Sequence, residues 1–275
     1  MSGTAPTEVQ TGAPTDAPTV QEIETSDDDF LSGKVKCLQP RQGFRAGVDT
    51  VMLAAACPAK EGELVLEPGC GPGVAAMCLA RRTGARVLGV EIEAGALALA
   101  RRNAERNELA HMVSLIEADV TLKASLLAEH GLAPETCDHA IANPPFLTEG
   151  EATPPPGDAR ARAFAGPQEL LGAWVKFATR MVRPGGTLSF IHRADRVGDL
   201  LAALEGRAGG TLVFPLWPAP RSTGKPASRV IVQATKGSRA PLKLLPGLVL
   251  HGADARFTGD AWDILRKGRP LEIGG

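Results

Sequence analysis

The sequence predicts an open α/β sheet wound on both faces, in which the chain doubles back after its third strand. Apolar runs of strand length alternate with stretches of helical period, the switch expected of βαβ units. The run Leu64-Val65-Leu66-Glu67-Pro68 enters a glycine turn, Gly69-Cys70-Gly71-Pro72-Gly73, and then a helix. A later buried run, Cys137-Asp138-His139-Ala140-Ile141-Ala142, ends in Asn143-Pro144-Pro145-Phe146. In this topology those two strands become neighbours, with a crevice at their carboxyl ends.

Strands are expected at residues 64–68, 85–91, 112–119, 137–142 and 187–193, separated by helices at 74–83, 94–108 and 167–182, with a shorter helix at 121–130. After a helix at 195–205 the chain turns strand-rich at 211–216, 229–236 and 243–250, and a final antiparallel hairpin is expected there. Residues 147–166, with Pro154-Pro155-Pro156, read as a long loop, either a substrate lid or a plain connection. No internal repeat is present.

Residues 1–33 contain no Lys or Arg and are rich in Thr, Pro and Ala, so a disordered acidic tail is expected before a domain at 34–275. Seven acids lie in that tail, which leaves 30 basic against 24 acidic side chains, a balance of +6 hidden by the total of −1. Residues 206–253 hold Arg207, Arg221, Lys225, Arg229, Lys236, Arg239 and Lys243 and no acid. Such a run is often only a solvated face; beside a nucleotide pocket it reads as a phosphate-tracking surface.

Cysteines 37, 57, 70, 78 and 137 are an odd number with no C-x-x-C pair, which argues against a disulfide or zinc framework and points to buried thiols in a reducing cytosol. The five histidines lack ligand spacing and read as structural, so no metal is expected. No segment is long and apolar enough to span a bilayer, and the acidic start is unlike a signal peptide.

Gly69, Gly71 and Gly73 permit positive φ and close backbone approach to a ligand. Their spacing is G-x-G-x-G rather than the G-x-G-x-x-G of a pyrophosphate turn, and Pro72 further disfavours a dinucleotide. Glu67 is expected to reach the amino-acid end of a methyl donor. Glu91, ending the next strand, suits a ribose diol, and Asp119, ending the third, suits an adenine amine. Each acid alone is more ordinarily a solvated strand end; three successive strand ends around a glycine turn point to S-adenosylmethionine.

Asn143-Pro144-Pro145-Phe146 supplies the complementary chemistry. An exocyclic amine on a base is a poor nucleophile because its lone pair is delocalised into the ring. Two carbonyl oxygens accepting its N–H bonds aim the lone pair and stabilise the charge that develops. Asn143 offers one through its side chain and Pro144 the other through its backbone. Proline keeps the turn rigid and removes competing donors, and Phe146 offers a face for the ring. The bland alternative is a tight loop with a capping Asn and a core Phe.

The segment Gln42-Gly43-Phe44-Arg45-Ala46-Gly47-Val48-Asp49 and the apolar helix after it resemble the signature of bacterial adenine-N6 methyltransferases acting on valine tRNA. The resemblance extends through Glu67-Pro68-Gly69-Cys70-Gly71, Glu91 and Asn143-Pro144-Pro145-Phe146. It continues more loosely to Ala227-Ser228-Arg229-Val230-Ile231-Val232 and Leu248-Val249-Leu250-His251, covering most of residues 36–267. It implies a class I, seven-stranded Rossmann-like methyltransferase that modifies an adenine near the anticodon of a tRNA. It also implies that Gln42, Phe44 and Arg45 line the cofactor or base pocket. Phe146 stands where Tyr is commoner, which keeps the stacking face and removes a hydroxyl.

Arg221, Lys225 and Arg239 are expected to hold the RNA backbone, and nothing fixes the oligomeric state beyond a monomer being sufficient. A protein-glutamine methyltransferase of release factors shares the tetrapeptide but carries a substantial N-terminal helical domain, for which about 30 residues leave no room. A catalytically silent RNA-binding module would not need the intact tetrapeptide. A nicotinamide oxidoreductase is weaker still on glycine spacing.

Overall fold

A computed structural model describes residues 24–122, 124–146 and 167–274. The predicted lid at 147–166 and most of the predicted tail lie outside them. The sheet is ordered by burial. Runs such as β3 (Leu64–Pro68), β4 (Arg86–Glu91) and β6 (Cys137–Ala142) are apolar on both faces because helices cover both. With β5 (Val113–Glu117) and β7 (Val182–Arg193) they form the parallel half, in the order β7-β6-β3-β4-β5. The chain reverses after β5, so β3 lies beside β6 through Val65–His139 and Leu66–Ala140.

The helices follow their signals. α2 (Val74–Thr83) begins after Gly73 and is closed by Gly84 at φ +72°, whose N–H bonds the Ala80 carbonyl. α3 (Ala94–Arg106), α4 (Ala124–Glu129) and α5 (Pro167–Met181) complete the crossovers, and α6 (Val197–Leu204) follows β7. The expected hairpin is β8 (Ala208–Trp217) with β9 (Arg229–Lys236), and β9 is inserted antiparallel between β7 and β8. The strand expected at 243–250 is broken into β10 (Lys243–Leu244) and β11 (Leu248–Val249), both parallel to β8. Pro246 offers no N–H there, and Gly247 turns at φ +77° against the Pro215 carbonyl.

The predicted tail boundary at residue 33 is wrong. Thr25–Phe30 forms β1, which pairs antiparallel with β2 (Val35–Pro40), and Leu31 is buried in the core. Two asparagines on one face of α3 serve β2's other edge. Asn103 accepts from the Leu38 N–H at 2.8 Å and donates to the Leu38 carbonyl, while Asn107 does the same for Lys36. Glu24, Asp27, Asp28 and Asp29 therefore belong to the folded part. Residues 24–275 carry 30 basic and 28 acidic side chains, so most of the expected basic excess disappears. All five cysteines are buried and free, with Cys37 and Cys57 pushed up to about 12 by burial. Among the described residues no helix is long and apolar enough to cross a membrane.

Candidate functional site

The three turn glycines do different jobs. All take positive φ, +60° at Gly69, +53° at Gly71 and +80° at Gly73. A Cβ on Gly69 would fall 2.1 Å from Trp174 Cη2, so this glycine lets the indole of α5 lie against the turn. A Cβ on Gly73 would meet Ala100 and Met77 at 3.2 Å. Only Gly71 faces open space, its nearest neighbour being Phe44 at 4.0 Å.

Phe44, which faces it, also lines a cleft with Thr50, Glu67, Gly69, Cys70 and Asn143, among others. The glycine turn after β3 and the Asn143 loop after β6 thus share one wall, as the strand order requires. Glu67 Oε2, Asn143 Oδ1 and Thr50 Oγ1 are all buried without a hydrogen-bond partner. A buried polar atom left unpaired costs about 1–3 kcal/mol, so three of them around one cleft mark it as built for a polar ligand. Glu67 is 6% exposed, and its carboxyl is pushed up to about 8, chiefly by burial. An N–H from Ala76 opposes that shift and the Glu91 charge adds to it.

Glu91 closes β4 at 8% exposure and already has structural work. Its Oε2 accepts from Gly71 N–H at 2.8 Å, and its Oε1 from the N–H groups of Ile92 and Glu93 at 2.8 and 3.0 Å. A carboxylate has about four acceptor positions, so Glu91 can order the glycine turn and still take one more donor. Asp119 accepts from Thr121 N–H and Oγ1 through Oδ1, which fixes the chain after β5.

Arg45 does not line the cleft. Its guanidinium reaches back to Asp28 Oδ2 and Ser26 Oγ, both at 2.7 Å, because β1 presents acids where a disordered tail was expected. Buried Gln39 bonds Ala46 N–H at 2.7 Å and Asp28 at 2.7 Å. Together they brace the rim that carries Phe44, itself 60% exposed at the cleft. Gln42 is exposed.

The basic run is divided between the two ends of the sheet. Arg221, Lys225 and Arg229 lie at or before the start of β9, beside Arg193 at the carboxyl end of β7. Arg239 follows Lys236, which pairs with Ala208 at the start of β8, so it sits at the opposite edge and away from the cleft. Lys236 there is bound to Glu135 and the Val182 carbonyl. Arg221 lies over the Trp217 ring at 5.0 Å and donates to the Pro246 carbonyl.

Several residues to which sequence reasoning gave no role at the tetrapeptide converge on Phe146. The Arg229 guanidinium lies 5.1 Å from its ring centroid, and Arg229 Nε donates to Asp49 Oδ2 at 2.6 Å. The His192 ring meets it edge to face at 5.0 Å. His139 is satisfied between Thr187 and Glu63, as a structural histidine should be. His192 is not: its Nδ1 is buried without a partner, and burial holds its pKa low. Its place at the last turn of β7 beside the tetrapeptide strand was the available signal. Among the described residues no group of His, Cys, Asp and Glu could hold a metal ion.

The family described as methyltransferase small domain matches residues 45–195. The chain is similar to a tRNA1(Val) (adenine(37)-N6)-methyltransferase of Shewanella sp. (strain MR-4), at 30% identity over 78% of this chain and 88% of that protein. It is similar to one named likewise from Aeromonas hydrophila, at 27% identity over 79% of this chain and 87% of that protein. Among solved structures, a predicted O-methyltransferase from Agrobacterium tumefaciens matches with a TM-score of 0.68 at 30% identity, over 82% of this chain and 98% of that one.

Proposed function

The chain belongs to the methyltransferase small domain family, and we propose that it methylates the N6 amine of an adenine in RNA, a tRNA base near the anticodon, with S-adenosylmethionine as donor. The observation that carries the proposal is the buried, unpartnered Asn143 Oδ1 sharing a cleft with the unpartnered Glu67 Oε2. One is an acceptor waiting for an amine on the base side; the other is a carboxyl waiting for a cation on the donor side. The donor, when bound, supplies an electrophilic methyl group on a sulfonium.

Gly71 leaves room for the donor beside the turn, Glu67 takes its amino-acid end, and Glu91 has one acceptor position left for a ribose hydroxyl. Asn143 Oδ1 and the Pro144 carbonyl accept from the target amine and turn its lone pair toward the methyl group. Phe146 takes the face of the base, which enters unstacked from a single-stranded loop at small cost. Water takes the proton afterwards, and no general base is required. RNA is favoured by what the similar proteins are named for, and by the placement of Arg221 and Lys225 just before β9, at the end of the sheet where β7 finishes. The five unpaired thiols suit a reducing cytosol.

Mass spectrometry of digested tRNA from a deletion strain tests the proposal, with loss of one N6-methyladenosine expected. Asn143→Ala should lower transfer by two to three orders of magnitude, about the cost of one transition-state donor or acceptor, with donor affinity retained. Full activity in Asn143→Ala would remove the amine-orienting role. Methylation of a release-factor glutamine, with tRNA ignored, would replace RNA as substrate.

A further inference from the structure

We propose that the Asp49–Arg229 ion pair is a positioning device that holds the Phe146 ring in place at the base side of the cleft and ties it to the rim carrying Phe44. The proposal presupposes that Phe146 stacks on the base.

Four separate elements meet at this ring. Phe146 ends the tetrapeptide loop, Arg229 opens β9, Asp49 lies in the first turn of α1 (Val48–Ala56), and His192 is the last residue but one of β7. A loop-borne ring has only rotamer preference to aim it. Here one face has a guanidinium 5.1 Å from the centroid, within the range where a cation is attracted to the ring quadrupole. His192 meets it edge to face at 5.0 Å and 73°.

The arginine can serve two partners at once because its guanidinium carbon lies over the ring while Nε donates to Asp49 Oδ2 at 2.6 Å. Asp49 is itself well placed, an acid in the first turn of a helix, two residues beyond the rim segment Phe44–Gly47. The neighbouring imidazole is held neutral by burial and so does not compete with Arg229 for the ring. A half-exposed ion pair contributes little to stability by itself. Its placement against the one aromatic of the tetrapeptide gives it a different use, which is orientation. Arg229 is thus a positioning residue that acts through Phe146.

The test uses the full chain with 4-fluorophenylalanine at position 146 and S-adenosylhomocysteine present. The fluorine resonance should shift and broaden in Arg229→Ala, less so in Arg229→Lys, and stay unchanged in Arg183→Ala. The last breaks a comparable 2.7 Å pair with Asp138 at the start of β6, the opposite end of the strands from Phe146. On tRNA, Arg229→Ala should raise KM about three- to thirty-fold, with kcat and donor affinity changed much less. That penalty should vanish when Phe146→Ala is already present. A fluorine signal unmoved by Arg229→Ala would overturn the proposal. So would an equal KM penalty in the Phe146→Ala background, since Arg229 would then be acting directly on substrate. If the wild-type protein methylates no RNA, the fluorine response alone decides the positioning role, separately from the substrate.

Discussion

Glu67 should make donor binding proton-linked. Its carboxyl, 6% exposed and pushed up to about 8, is about 90% protonated at pH 7. A ligand ammonium placed against it would favour the charged form and pull the pKa down. Binding at pH 7 should therefore release close to one proton, and ionising the carboxyl should weaken the apparent affinity by about 1.4 kcal/mol, a factor of about ten. Raising the pH removes that cost, but the donor's α-ammonium, with an ordinary pKa of about 7.7–8.0, is lost over the same range, so affinity should pass through a maximum near pH 8. Titration calorimetry in phosphate and in Tris reads the release directly, because the two apparent enthalpies differ by the buffer's share. Glu67→Gln keeps the shape, and it should bind more weakly, with equal enthalpies in both buffers. The ligand-free protein supplies a second sign. A carboxyl raised from 4.5 toward 8 holds its proton more tightly when folded, so stability is full below about pH 4.5 and falls as pH climbs toward 8. The slope should approach about 1.4 kcal/mol per pH unit in that window and flatten in Glu67→Gln. Equal enthalpies in the wild-type protein would refute the linkage.

Gly69→Ala and Gly71→Ala should separate packing from binding. Both carry the left-handed penalty of about 1–2 kcal/mol, but only Gly69→Ala drives a methyl into Trp174, so its melting temperature should fall further. Gly71→Ala should instead lose donor affinity; equal melting and binding in the two variants would contradict the division. Replacing Arg221 and Lys225 together should reduce the salt slope of RNA binding by about 0.7–0.9 for each phosphate no longer neutralised. Arg239→Ala at the far edge should leave the slope unchanged, and the opposite pattern would move the RNA to that edge. Phe146→Tyr should keep base binding, whereas Phe146→Ala should cost about 1–3 kcal/mol of it, measured by RNA titration.

The parallel half of the sheet was legible because its signals are local. β3 and β6 begin and end at the expected residues, as does β9 in the antiparallel part, each an apolar run bounded by turn residues. The losses came where partners are distant in sequence. Thr25–Phe30 carries three consecutive aspartates and reads as solvated tail, yet it is held by β2 and by long-range partners. Arg106 meets Asp27 at 2.7 Å, and Gln39 and Arg45 both meet Asp28. Composition averages over a window and cannot see that Asp27 and Asp28 have a cation or amide waiting elsewhere. The 243–250 strand failed for the opposite reason: its β propensity was real, and Pro246-Gly247 overrode it.

At the site, identity was easier to read than employment. Glu91 was expected to hold a ribose, a job its residue type allows, yet three of its acceptor positions already go to backbone N–H groups, among them that of Gly71. Losing the carboxylate would therefore loosen the turn as well as take away a ligand partner, and Glu91→Gln is the cleaner probe than Glu91→Ala. Arg45 shows the same shift from ligand binding to support, bracing the rim from β1. Conversely His192 carries no motif, and Asp49 and Arg229 stand in the resembling segments without a role at the pocket; all three gain that role only from the ring they surround. What the sequence marks by type are the groups whose chemistry the reaction needs; the groups that aim them can be many residue types, so only the fold identifies them.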